Sequence, residues 1–101
     1  MRLRQYLFAR LLARASRIHE PLVAARKAAL LRQVSGQVLE IGPGTGVNFA
    51  YYPPGIAWTG YEPNPFLARQ ISLPEGATLH ERPFVEGEAQ RYDWAVATLV
   101  L

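Results

Sequence analysis

No cysteine occurs among the 101 residues, which removes disulfide bridges, cysteine-based zinc motifs and a thiol nucleophile together. The absence leans toward a reducing compartment, and a cytoplasmic location is expected. Histidine is sparse too. His19 has no histidine, cysteine or clustered carboxylate at ligand spacing, so it reads as an interhelical or surface side chain, and no metal is expected. No apolar run approaches the roughly 20 residues that span a bilayer. The first arginines are not followed by a clean apolar stretch and small residues, so a cleaved leader is not expected either. What is present is a chain with half its residues apolar and no low-complexity tract. It has room for one small globular domain.

A net charge of +3 hides an uneven distribution. Arg2, Arg4, Arg10, Arg14, Arg17, Arg26, Lys27 and Arg32 oppose only Glu20 in the first third, whereas acids outnumber bases afterwards. Residues 2–19 are predicted to be helical, because Leu7, Leu11 and Ile18 fall on one stripe and Arg10, Arg14 and Arg17 flank it at helical spacing. The leading reading is a cap packed on the body with a solvated basic flank. Peripheral contact of residues 2–19 with an anionic membrane is the second. Nucleic acid is not expected as a partner, since no base-reading or aromatic-interleaved basic motif accompanies the charge. Pro21 then opens a second helix, with Val23, Leu30 and Val34 as its buried stripe and Gly36 as its end. Residues 1–36 would form an N-terminal helical cap.

The remainder is organised around Val38-Leu39-Glu40-Ile41-Gly42-Pro43-Gly44-Thr45-Gly46-Val47-Asn48. An apolar run ending in a carboxylate and followed by alternating glycines reads as a buried strand turning sharply into a helix. Such a turn lets a ligand approach the backbone, and the helix start presents unpaired N–H groups to it. Spacing narrows the ligand. A dinucleotide fingerprint would need its third glycine where Val47 stands, and a phosphate-binding loop would need Gly-Lys-Ser/Thr, which is absent.

Downstream, Thr45 to Tyr52 is predicted to form a short helix stopped by Pro53-Pro54-Gly55. Ile56 to Tyr61 reads as a second strand ending in Glu62, roughly 20 residues past the first glycine, the offset at which an acid reaches ribose hydroxyls. Asn64-Pro65 is an N-cap followed by proline at the first helical position, and that helix ends by Leu73-Pro74. Ala77 to Glu81 is a third strand. Phe84 to Arg91 is a polar connection, and Tyr92 to Leu101 a fourth strand of the kind covered on both faces. Strands alternating with helices imply an α/β fold with a parallel sheet.

The E-x-G-x-G-x-G pattern, with Tyr51-Tyr52-Pro53, Tyr61-Glu62-Pro63-Asn64-Pro65 and the last strand, resembles class I S-adenosylmethionine-dependent methyltransferases of the methyltransferase domain 11 type. Over about residues 30–101 the chain is most similar to the group containing alkyl-thiol, phospholipid and quinone methyltransferases. The resemblance implies a Rossmann-like partial sheet of order 3-2-1-4, with residues 37–101 as the cofactor-binding half. It implies S-adenosyl-L-methionine as cofactor and a small-molecule or lipid-like methyl acceptor. Glu40 would organise the methionine ammonium, often through water, while Gly42, Pro43, Gly44 and Gly46 line the methionine and sugar, with Thr45 and Asn48 also among the cofactor-binding residues. Glu62 would take the ribose hydroxyls, with Pro63 and Asn64 beside the adenine. Where the family carries an acid for the adenine amine, this chain has His80-Glu81-Arg82-Pro83. Glu81 is the candidate there, and Gly87-Glu88 is another alignment. Thr98 and Leu99 would face the transferable methyl.

No catalytic base is required, because the sulfonium already activates its methyl and the protein positions the reactants. Family members continue past the fourth strand, so an incomplete copy with little or no turnover alone is expected. The most apolar strand would then be an edge open to self-association. A non-catalytic S-adenosylmethionine-binding or strand-pairing module remains the alternative, and a nicotinamide-binding fragment ranks below both.

Overall fold

The computed structural model describes residues 5–9 and 21–98. Five strands form one sheet: β1 (Gln5–Ala9), β2 (Gln37–Ile41), β3 (Ala57–Tyr61), β4 (Thr78–His80) and β5 (Trp94–Thr98). Their order is β1-β5-β2-β3-β4, and every neighbouring pair is parallel. The four strands read from the sequence are β2 to β5, and they lie in the expected 3-2-1-4 arrangement of a partial Rossmann-like α/β fold.

The N-terminal segment departs from expectation. Residues 5–9, placed by periodicity within a helix over 2–19, are instead a strand that pairs with β5 from Gln5↔Trp94 to Ala9↔Thr98. The stretch Gln5-Tyr6-Leu7-Phe8-Ala9 carries two aromatics, which suit a pleated surface, and β5 offers a row of backbone donors and acceptors. Pairing with β5 overrides the helical pattern. The helical cap drawn over 1–36 is therefore corrected at residues 5–9, which join the sheet. Residues 2–4 and 10–19 of the expected helix lie outside the described residues. A second correction follows: β5, expected at an edge, is flanked by β1 and β2.

Pro21–Leu31 forms helix α1. It ends earlier than Gly36, as Gln33 N–H donates to Leu30 O and Val34 N–H to Leu31 O in a tightened last turn. The buried stripe is correspondingly turned, with Leu31 and Val34 inside and Leu30 only half-buried. These two residues pack with Val38, Trp58 and Val96 on one face of the sheet. On the opposite face Leu39, Tyr61, Tyr92 and Ala95 form a second cluster. The alternation of Val38 and Leu39 between the two clusters is the period of two that strand geometry imposes.

The connections are short. Between β2 and β3 only Val47–Ala50 is helical, as a single 3-10 turn, since Gly46 at φ 85° precedes it and Pro53-Pro54 soon follows. Helix α2 (Pro65–Ala68) also stops before the expected Leu73. A 3-10 segment, Glu86–Arg91, leads into β5. Among the described residues no helix is long and apolar enough to cross a membrane.

Candidate functional site

The parallel sheet brings the ends of β2, β3 and β4 to one rim, and the chemistry-bearing residues collect there. Gly42, Gly44 and Gly46 all have positive φ, between 64° and 85°. The turn is closed by Gly42 N–H donating to Tyr61 O at 2.9 Å and Gly46 N–H to Pro43 O at 3.0 Å. Pro43 is buried beneath it and Thr45 is exposed. The space in front of the loop is open, since a Cβ placed on Gly42 or Gly44 would meet nothing within 4 Å. Gly46 is different: a Cβ there would press on Phe49 and on Ile71 at 3.0–3.3 Å.

Glu62, one residue past β3, is 5% exposed. Its Oε1 accepts the Gly44 N–H at 2.8 Å and its Oε2 the Asn64 N–H at 3.0 Å. The carboxylate thus ties the glycine loop of one strand to the helix start of the next. Asn64 caps α2, its Oδ1 accepting from Phe66 N–H at 2.9 Å and Leu67 N–H at 3.3 Å. Pro63 and Asn64 are exposed beside it. The structure therefore brings together Gly42, Pro43, Gly44, Thr45, Gly46, Glu62, Pro63 and Asn64.

Glu40 is placed differently, turned into the protein and 1% exposed. Its Oε1 accepts from Tyr52 Oη at 2.5 Å and Trp58 Nε1 at 3.1 Å, and its Oε2 from Asn48 Nδ2 at 2.7 Å. Burial raises its pKa above the usual carboxylate range, while the three donors and the nearby Lys27 ammonium oppose that rise. Burial also lowers the pKa of Lys27, with Glu40 acting the other way. The Tyr52 hydroxyl is pushed well up by its burial and by the same carboxylate. A buried acid with three side-chain donors is a rigid base for the loop that starts two residues later.

How Trp58 reaches Glu40 depends on strand register. Glu40 lies opposite Gly60, and Trp58 precedes Gly60 by two residues on the same face of β3. A Cβ on Gly60 would collide with the Trp58 ring, so the indole lies across the glycine toward the acid. Phe49 tilts onto that indole with ring centroids 4.6 Å apart. Trp58 is itself a core residue, at 3% exposed. The acid-holding role of Tyr52 and Trp58 was missed. Its only sequence signal is the pair of polar-tipped aromatics following a strand-end acid.

On the other face Tyr61 donates to Glu88 Oε2 at 2.5 Å, stacks on His80 at 4.6 Å and lies under the Arg82 guanidinium at 4.9 Å. Arg82 pairs with Glu88 at 2.9 Å. Burial and Glu88 push the Tyr61 hydroxyl upward, and its bond together with Arg82 holds the Glu88 carboxyl low. Glu81 is exposed just past β4, next to His80, whose carbonyl accepts from Glu62 N–H at 2.9 Å. Of Glu81 and Glu88, the two acids considered from the sequence, Glu88 is the one built into a network. Thr98 ends β5, and Leu99 lies outside the described residues. Among the described residues no cluster of histidine, cysteine and acids could hold a metal.

The chain is similar to known proteins. The chain is 35% identical to human (Homo sapiens) thiol S-methyltransferase TMT1B over 95% of its own length and 45% of that protein's. It is 32% identical to human thiol S-methyltransferase TMT1A, over 89% of this chain and 44% of that one. With TMT1B of Rattus norvegicus the identity is 36%, over 95% and 45%. The chain thus spans under half the length of the curated relatives it matches. No family model and no solved structure matches it. With the glycine turn, the acid after β3 and the parallel sheet in place, the similarity shows that this chain belongs to the class I S-adenosylmethionine-dependent methyltransferase family of the thiol S-methyltransferases.

Proposed function

We propose that the chain is the cofactor-binding part of a methyltransferase that moves a methyl group from S-adenosyl-L-methionine to a small-molecule acceptor, a thiol by analogy with the relatives' names. The observation that carries this reading is the Glu62 carboxylate bonded to the Gly44 N–H in front of an open glycine turn. When bound, the cofactor supplies a methyl already activated on a sulfonium. In this reading Glu62 accepts from ribose hydroxyls, and the methionine and sugar lie against Gly42 and Gly44, where an added Cβ would meet nothing within 4 Å. Pro63 and Asn64 flank the adenine side, where Glu88 is better anchored than Glu81. Glu40 acts indirectly, holding the loop from below through Asn48, Tyr52 and Trp58. By the family resemblance Thr98, which ends β5, and the following Leu99 would face the methyl. The chain's contribution is orientation and exclusion of water rather than proton transfer.

Calorimetric titration with S-adenosylhomocysteine tests the reading. Binding to the wild-type chain, weakened about tenfold or more by Glu62→Gln through loss of a charge-assisted contact, is the expected result. Absence of binding to the wild-type chain overturns it. Radiolabelled methyl transfer to a small alkyl thiol then separates a catalytic chain from one that only binds.

A further inference from the structure

A cleft of about 200 Å³ opens away from the glycine rim, where the segment after β2 faces the turn that leads into β4. Its walls include the rings of Phe49, Tyr52 and Trp58 together with Pro53 and Pro74, and Glu75 stands at its margin. None of the residues assigned to the cofactor lines it. The polar ends of two wall residues are already committed, since Tyr52 Oη and Trp58 Nε1 both donate to Glu40. Tyr52, half-buried, turns ring surface toward the cleft, and Trp58, which is 3% exposed, forms its floor.

That composition selects a ligand. A cavity near 150 Å³ lined by apolar side chains accommodates benzene, and drug-sized ligands need about 300 Å³ or more. The space here therefore suits one ring with a short substituent. Ring faces attract cations through their quadrupole, and Glu75, exposed at the edge, adds a negative charge in the same place. Lys27 is the nearby counter-example, and it lies over Tyr51, at 5.5 Å, which is not a wall residue. The walls are also fixed beforehand, because Glu40 and Phe49 hold Trp58 in place, so little side-chain freedom is lost on binding.

We propose that this cleft binds a small single-ring organic ammonium, its ring against Phe49, Tyr52 and Trp58 and its charge beside Glu75, at a site separate from the glycine loop. Benzylammonium is the probe and benzyl alcohol its neutral counterpart. Trp58 and Trp94 are the only two tryptophans, so Trp94→Phe leaves Trp58 as the sole indole reporter. Calorimetry on the unaltered chain runs alongside it in case that substitution disturbs folding. Benzylammonium should give a saturable response, with benzyl alcohol about tenfold weaker. Glu75→Gln should bring the two together, and Ala77→Leu, which fills the cleft, should abolish both responses. No saturable binding of benzylammonium, equal binding of both probes by the unaltered chain, or displacement of benzylammonium by S-adenosylhomocysteine would overturn the proposal. Since the probe is read without cofactor, failure of the methyltransferase reading leaves this result separately interpretable.

Discussion

At the residue scale the molecule turns on two acids with opposite settings. Glu62 sits at the rim with backbone partners, and Glu40 sits beneath it with side-chain partners. Since Glu40 has a folded-state pKa above its unfolded value, the folded protein holds a proton more tightly than the unfolded chain between the two values. Its contribution to stability is then largest at low pH and falls as pH rises through that interval. Glu40→Gln, which cannot titrate, should flatten that slope in denaturant titrations run upward from the ordinary glutamate range. An unchanged slope would assign the pH dependence to another group. Gly60 gives a sharper test, because alanine in a strand is ordinarily favoured over glycine by about 0.5–1 kcal/mol. Here the added carbon meets the Trp58 ring, and overpacking costs about 1–3 kcal/mol. The clash should win, so Gly60→Ala should lower the melting temperature and shift Trp58 emission as the indole leaves Glu40. The glycine turn and Glu62 could be read directly from the sequence, since their spacing is local. Trp58 reaching Glu40 could not, because it depends on how β3 registers against β2.

At the element scale α2 is only four residues long, too short to be stable through its own hydrogen bonds. It persists through its Asn64 cap and the buried Ala68. Asn64→Ala should therefore cost about 1 kcal/mol of stability, measurable as a lowered denaturation midpoint with unchanged slope. The cap and the proline after it were legible because both act within three residues. β1 was not. Gln5-Tyr6-Leu7-Phe8-Ala9 contains nothing that distinguishes one face of a helix from a strand until β5 lies beside it with the matching register. The shortening of the 45–52 helix to one 3-10 turn has a more local origin, a left-handed Gly46 at one end and two prolines soon after the other.

At the scale of the whole molecule, the five parallel strands among the described residues leave β1 and β4 as the edges of that sheet. The strand with the longest apolar run lies inside only because residues 5–9 cover it. A chain beginning at residue 10 should expose the outer backbone of β5 and self-associate in sedimentation experiments, because an open apolar edge invites pairing. Its affinity for S-adenosylhomocysteine should be retained, since none of the residues bonded around Glu62 belongs to β1. A monomer with β5 amides still protected from exchange would show that β1 is dispensable for that edge.

The direction of β1 has one more consequence. Because it runs the same way as β5, Ala9 and Thr98 finish as neighbours, about one strand spacing of 4.8 Å apart. Two positions almost ninety residues distant along the polypeptide become a built-in ruler. A pair of spectroscopic labels attached there would report, in a single distance, whether the front of the chain remains docked while ligands come and go at the opposite side of β2.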